Sequence, residues 1–114
     1  MPVKTFKILS GQSLSEAIPM NSMGNGSRLA IVGMPAAWDA ANLTFQVSLD
    51  NQVSWLNLYD SSGSEYSVTA AASRAIMIPL ADFIGVTDMK IRSGTAAAAV
   101  NQTANRTLTI VGAR

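Results

Sequence analysis

The stretch Leu43-Thr-Phe-Gln-Val-Ser-Leu-Asp-Asn-Gln-Val-Ser-Trp-Leu-Asn-Leu58 decides the fold. From Leu43 to Ser48 apolar and polar residues alternate, which is typical of a β-strand with one buried and one solvated face. Asp50-Asn51 favours a turn, because both side chains can hydrogen-bond to the nearby backbone and tolerate left-handed conformations. The apolar residues that follow predict a return strand. We therefore expect an antiparallel hairpin at the centre of the protein.

Similar short strand patterns, separated by turn residues about every ten positions, predict an all-β fold of about eight strands. An antiparallel β-sandwich of the jelly-roll type fits this spacing best. We expect residues 1–12 to form an amino-terminal arm or first strand, and residues 13–114 to form a single jelly-roll domain. Outside the hairpin, the candidate strands lie at 3–9, 14–18, 28–34, 65–69, 74–80, 88–92 and 106–111.

Two aromatic residues in predicted connections are expected to close the core. Trp38 follows Pro35 in an alanine-rich segment that we interpret as a turn, because a proline precedes it and a strand follows within a few residues. Phe83 lies in a compact segment before Gly85. Residues 95–100 contain four alanines, which favour a helix by propensity, but polar flanking residues favour a surface loop.

The composition indicates one domain with an unusually uncharged surface. The chain has 114 residues, of which 48% are hydrophobic and only 13% are charged. Either small neutral side chains cover the surface, or copies of the chain or a partner cover much of it. The net charge is +1 and the basic residues are scattered, so we expect no nucleic-acid partner.

The residue types present argue against catalysis and metal binding. Cysteine and histidine are both absent, which removes disulfides, the commonest metal ligands and the commonest general base. The aspartates at 39, 50 and 60 fall in predicted turns. We therefore expect a non-enzymatic protein without metal or cofactor. The first ten residues lack the apolar core of a signal peptide, and no window reaches the length of a membrane span. We expect no membrane partner and assembly in a cytoplasm.

Several segments between Arg28 and Val111 resemble a family of small structural proteins of tailed bacteriophages and prophages. Met34-Pro-Ala-Ala-Trp38 and Lys90-Ile-Arg-Ser-Gly-Thr95 are the more specific of them. Family patterns often carry glycine after the turn aspartate, where this chain has Asn51. The full resemblance covers residues 34–48, 58–65, 90–95 and 101–108.

This resemblance implies a capsid decoration or cement protein. Such a protein binds the major capsid protein on the outer shell of the virion as a homo-oligomer, and we expect a trimer that is assembled in the host cytoplasm. The candidate contacts lie on the amino-terminal arm and on the alanine-rich loop, whose small side chains permit close backbone approach. They are Phe6, Ile8, Thr95, Ala97 and Val100.

The alternative is a carbohydrate-binding module of a phage tail or head fibre, which would bind a surface polysaccharide. The central strand segment and Asp88-Met-Lys-Ile-Arg92 look similar to discoidin-like jelly-roll domains that bind sugars or lipids. Core packing is the competing interpretation of both tryptophans. The candidate ligand face consists of Trp38, Trp55, Asp50, Asp60 and Arg92.

Overall fold

The computed structural model describes residues 2–114, and this part of the chain contains nine strands and two short 3-10 helices. The helices are Met20–Met23 and Leu80–Phe83. In chain order the strands are β1 (Val3–Ile8), β2 (Ile18–Pro19), β3 (Arg28–Gly33), β4 (Leu43–Ser48), β5 (Leu56–Asn57), β6 (Ser67–Val68), β7 (Ala75–Met77), β8 (Asp88–Ser93) and β9 (Arg106–Ala113).

The strands form two sheets, and within each sheet all paired strands are antiparallel. Sheet one has the strand order β1-β9-β3-β7. Sheet two has the order β2-β8-β4-β5, with β6 also paired to β4. The predicted all-β fold of antiparallel strands is therefore confirmed at this level. Among the described residues, no helix is long and apolar enough to cross a membrane.

Apolar side chains from both sheets form one core. Sheet one contributes Leu29 and Leu108 and sheet two contributes Phe45 and Ile91, all fully buried in the same cluster. Phe83 lies among them and makes edge-to-face contacts with Phe45 and with Tyr66. Phe83 therefore fills the core, as the sequence predicts.

Strand β3 carries a β-bulge that changes its burial pattern. Its register against β9 shifts between Leu29 and Ile31, so Leu29 and Val32, three positions apart, both face the core. The extra residue breaks the strict alternation of a regular strand. This explains why the apolar run of β3 shows no period of two.

The central hairpin is present as β4 and β5, but the predicted solvated face of β4 is wrong in part. Thr44 and Ser48 are buried, at 0% and 2% exposure, because other segments cover that face of the strand. The connecting loop has consecutive left-handed residues, Asn51 and Gln52. Asp50 therefore marks the turn correctly, although the loop is longer than a tight hairpin.

The structure also bears on the predictions for the segment around Trp38 and for residues 14–18, 95–100 and 1–12. The alanine-rich segment around Trp38 forms no helix, and Trp38 packs against the core with partial burial. The candidate strand at 14–18 is instead a two-residue strand that includes Pro19. Residues 95–100 form a surface turn. Of the two possibilities for residues 1–12, the structure contains the strand, because β1 pairs with β9 along all six of its residues; Met1 lies outside the described residues.

Candidate interaction surfaces

The outer face of sheet two is polar, and an ion pair lies at its centre. Arg92 Nη1 is 3.1 Å from Glu65 Oε2, and the two side chains are only 7% and 17% exposed. Arg92 Nη2 also donates to Asn57 Oδ1 at 2.7 Å. Glu65 further accepts hydrogen bonds from the backbone N–H of Ala96. The charge of Arg92 is therefore balanced by Glu65, and its guanidinium group is hydrogen-bonded within the protein. These contacts connect the segments that contain Asn57 and Glu65 to β8.

Trp55 lies on the same outer face, beneath a cation. Lys90 Nζ is 4.5 Å from the centre of the indole ring, a geometry that favours cation–π attraction. Gln46, opposite Lys90 in the register, donates to Asn57 Oδ1 at 3.2 Å. Trp55 is half-buried. This corner therefore combines an aromatic ring, an ammonium group and two amides on one surface.

Asp50 and Asp60 each organise their own turn. Asp50 accepts hydrogen bonds from the hydroxyl groups of Ser48 and Ser54, and Asp60 accepts them from Ser62 and from the backbone of Ser64. The serine hydrogen bonds hold the pKa of both carboxyl groups below the usual value. Both aspartates therefore have evident structural roles in the loops that contain them.

Trp38 lies apart from this polar face, in the connection between β3 and β4. Its indole N–H donates to the backbone carbonyl of Ala41 at 3.1 Å, and its ring packs against the core. The structure thus brings Trp55 and Arg92 to the outer face of sheet two. It does not bring Trp38 to that face beside them.

The candidate contacts on the first strand need correction. Phe6 and Ile8 are 9% and 0% exposed, because alternate residues of β1 face the core. They are therefore unavailable for contact with a shell. On the other candidate segment, Ala97 is exposed, while Thr95 and Val100 are half-buried. That turn depends on Gly94, whose φ is +91° and whose added Cβ would lie 2.6 Å from the carbonyl oxygen of Ala98.

The outer face of sheet one is a surface that the sequence analysis missed. Its residues on the two outer strands are exposed and those on the two inner strands are half-buried, and the register places uncharged residues side by side across all four strands. The signal in the sequence is weak, because these residues alternate with core residues on strands that are far apart in the chain. We call this surface the neutral face; it consists of Val3, Thr5, Ile31, Gly33, Ala75, Met77, Thr109 and Val111.

The described residues contain no group of three or more acidic, cysteine or histidine side chains that could hold a metal ion. Every buried side-chain nitrogen or oxygen atom among them has a hydrogen-bond partner. The buried polar side chains are thus held by hydrogen bonds within the protein.

Comparison with known proteins adds no relative. No protein-family model matches the chain, and neither the curated proteins nor the solved structures gave a match. The likeness to phage structural proteins therefore rests on the sequence segments quoted above.

Proposed function

We propose that this chain is a non-enzymatic structural protein of a tailed-bacteriophage virion, a decoration or cement protein that binds the outer shell and stabilises it. We also propose that its two sheets form a jelly-roll sandwich. The resemblance of the sequence supports the virion role. The observation that carries the proposal is the broad uncharged surface, above all the neutral face.

The size of the surface is adequate for such a role. The accessible surface is 5834 Å², close to the value of about 6,000 Å² for a compact monomer of this mass. A standard interface takes about 800 Å² from each partner, which is about one seventh of this surface. One copy can therefore contact the shell and also a neighbouring copy, and repeated contacts around a shell add their binding energies.

The turn at residues 95–100 is the contact that we assign to the major capsid protein. Its alanines expose backbone with little side-chain bulk, and Glu65 holds it in place through Ala96 N–H at 3.1 and 3.2 Å. A turn fixed in the free protein loses little conformational freedom when it binds. The homo-oligomer remains part of this proposal, with a trimer as the form that the resemblance implies.

Binding to shells tests the virion role. Purified protein is mixed with phage shells stripped of accessory proteins, and the bound copies are counted by quantitative mass spectrometry against the major capsid protein. We expect a copy number close to that of the shell protein, and a large loss of binding for Ala97→Glu. Ala36→Glu, also exposed and in an alanine-rich connection, is the matched control. A copy number of a few per cent would contradict a cement role.

A carbohydrate-binding module is the second candidate, and the Trp55–Lys90 corner is the observation that favours it. An aromatic ring beside the amides of Gln46 and Asn57 offers both a stacking surface and hydrogen-bonding groups to a sugar. The test is titration with host surface polysaccharide, followed by tryptophan fluorescence and calorimetry. Binding that Trp55→Ala abolishes and Trp38→Phe retains would favour this function over the shell contact.

A further inference from the structure

The loop before β3 contains Asn25-Gly26, the only Asn-Gly pair in the chain. The two residues occupy the centre of a β-turn, because the N–H of Ser27 donates to the carbonyl oxygen of Gly24 at 3.0 Å. The φ angle of Gly26 is +76°, a conformation that glycine adopts without strain. Both central residues are exposed. Solvent therefore reaches the side chain of Asn25 and the backbone nitrogen that follows it.

An asparagine followed by glycine can react within its own chain, and the reaction needs no enzyme. The backbone nitrogen of Gly26 attacks the side-chain carbonyl carbon of Asn25, and the side-chain nitrogen takes up the backbone proton and leaves as ammonia. The product is a cyclic succinimide, which water opens at either of its two carbonyl groups to give aspartate or isoaspartate. One water is consumed and one ammonia is released, with no oxidant or reductant. The reacting atoms belong to adjacent residues, so the attack is intramolecular and strongly favoured by proximity.

The turn leaves the reacting groups unrestrained. Within residues 2–114, the side chain of Asn25 makes no hydrogen bond and the N–H of Gly26 has no acceptor. The peptide unit between the two residues can therefore rotate toward the Asn25 side chain without breaking a hydrogen bond of its own. A Cβ added at Gly26 would meet nothing within 4 Å, so the surroundings also leave room for the succinimide ring.

The six other asparagines do not combine these features, although all of them are exposed. Each is followed by a residue whose side chain crowds the backbone nitrogen. The best match is Asn51, which also lies in an exposed turn, but the N–H of the next residue, Gln52, donates to Ser48 Oγ at 2.8 Å. In three others the side-chain oxygen accepts a hydrogen bond: Asn42, Asn57 and Asn105.

The surroundings of the turn accept the negative charge that the reaction creates. A Cβ built on Gly24 would lie 3.4 Å from Arg114 Nη2, so the guanidinium group lies against this turn. A carboxylate one residue further along is therefore formed close to a cation, and the Coulomb attraction between them is favourable. Because a neutral side chain becomes a carboxylate, the net charge of the chain falls from +1 to zero. Loss of net charge weakens the repulsion that keeps copies of a protein apart.

We infer that Asn25 is a site of spontaneous modification, at which the backbone nitrogen of Gly26 converts it to aspartate and isoaspartate through a succinimide. The inference goes beyond the virion role and stands without it, because the reaction needs only this chain and water. Isoaspartate also adds a methylene group to the main chain shortly before β3, which begins at Arg28. A sample of the protein therefore divides with age into forms that differ in charge and in the backbone of this turn.

Peptide mass spectrometry of the aged, folded protein tests the site. Samples are kept at neutral and at mildly alkaline pH and digested in acid, where the succinimide reaction is slow. We expect a mass gain of about 1 Da at Asn25, in two products that chromatography separates as aspartate and isoaspartate. Asn25 should react about tenfold faster than Asn51 in the same sample, because glycine carries no Cβ. The rate should rise with pH, since the attacking nitrogen must lose its proton. Equal rates at the two asparagines, or aspartate without isoaspartate, would overturn the inference.

Two glycine variants test the role of Gly26. Gly26→Ala should slow the modification of Asn25 about tenfold, because the new Cβ shields the attacking nitrogen. Gly11→Ala is the matched control and should leave the rate unchanged; the two glycines have φ angles of +76° and +80°, and an added Cβ meets nothing within 4 Å at either. Circular dichroism verifies that both variants are folded. Equal rates in the wild type and both variants would contradict the mechanism. A wild type that reacts only when unfolded in urea would show that the folded turn prevents the attack, and would also overturn the inference.

Discussion

Arg92 and Glu65 form an ion pair that joins three parts of the chain on the outer face of sheet two. The distance between Arg92 Nη1 and Glu65 Oε2 is 3.1 Å, and both side chains are largely removed from solvent. Arg92 is held on β8, Glu65 precedes β6, and the carboxylate also binds the N–H of Ala96. A charge pair thus connects the sheet to the turn that we assign to shell binding.

Removing either member of this pair should destabilise the protein. Glu65→Leu or Arg92→Met leaves the other charge poorly solvated, which costs about 3 kcal/mol at the lower end of the range for buried ion pairs. The lower end applies because Glu65 is still 17% exposed. Urea unfolding followed by circular dichroism measures the loss. The double variant should be less damaged than the sum of the single variants, and full additivity would show that the two charges do not interact.

Gly94 and Gly63 allow the cost of close packing to be separated from the cost of backbone conformation. Both have φ near +91°, but an added Cβ at Gly94 lies 2.6 Å from Ala98 O, whereas one at Gly63 meets nothing within 4 Å. Gly63→Ala should cost about 1 kcal/mol through its left-handed backbone alone. Gly94→Ala should cost clearly more, because the surface turn must also open.

Thermal and urea unfolding of these two glycine variants provides the comparison. Equal losses of stability would mean that the turn at residues 95–100 shifts without cost. Binding of Gly94→Ala to shells should weaken in parallel with its loss of stability, since the same turn is the proposed contact.

Asp39 should make stability depend on acid pH. A hydrogen bond from Arg106 Nη2, supported by Thr103, holds the pKa of Asp39 below its ordinary value of 3.8. A carboxyl group whose pKa is lower in the folded state stabilises the protein above the unfolded-state pKa. That contribution disappears as the pH falls through the folded-state pKa. The stability difference between wild type and Asp39→Asn should therefore shrink below about pH 4.

The measurement is urea unfolding of both proteins from about pH 6 to about pH 2.5, a range that brackets carboxyl titration. Asp50 and Asp60 titrate in both proteins, so the difference between the two curves isolates position 39. A difference that stays constant over the whole range would show that the pKa of Asp39 is the same in the folded and the unfolded protein.

Phe83 should be among the most sensitive core positions. It is fully buried, and the centroid of its ring lies 5.2 Å from the ring centroid of Phe45 and 5.4 Å from that of Tyr66. Phe83→Ala should cost about 3–5 kcal/mol through lost burial and a cavity, which for a domain of this size approaches the whole stability. Phe83→Leu retains most of the volume and should cost much less. Similar losses for the two variants would show that the edge-to-face contacts, and not volume, dominate.

Much of the secondary structure could be predicted from the sequence, because strand formation depends on the pattern of neighbouring apolar and polar residues. Alternation identified β4, and Phe83 was assigned correctly to the core. The same reasoning failed for Thr44 and Ser48, since alternation reports which face a residue occupies but not what covers that face. It also placed Phe6 and Ile8 at a surface, because a chain end was interpreted as a possible arm before its pairing with β9 was known.

What the sequence determined by itself is the class of the protein: short antiparallel strands separated by turns, few charges, and neither cysteine nor histidine. These properties depend on residues close together in the chain, so they can be read without coordinates. Only the tertiary structure decided which residues share a surface. Val3, Val111, Ile31 and Met77 are neighbours because β1, β9, β3 and β7 pair in that order. Strand order follows from long-range packing of the core, and no local pattern encodes it.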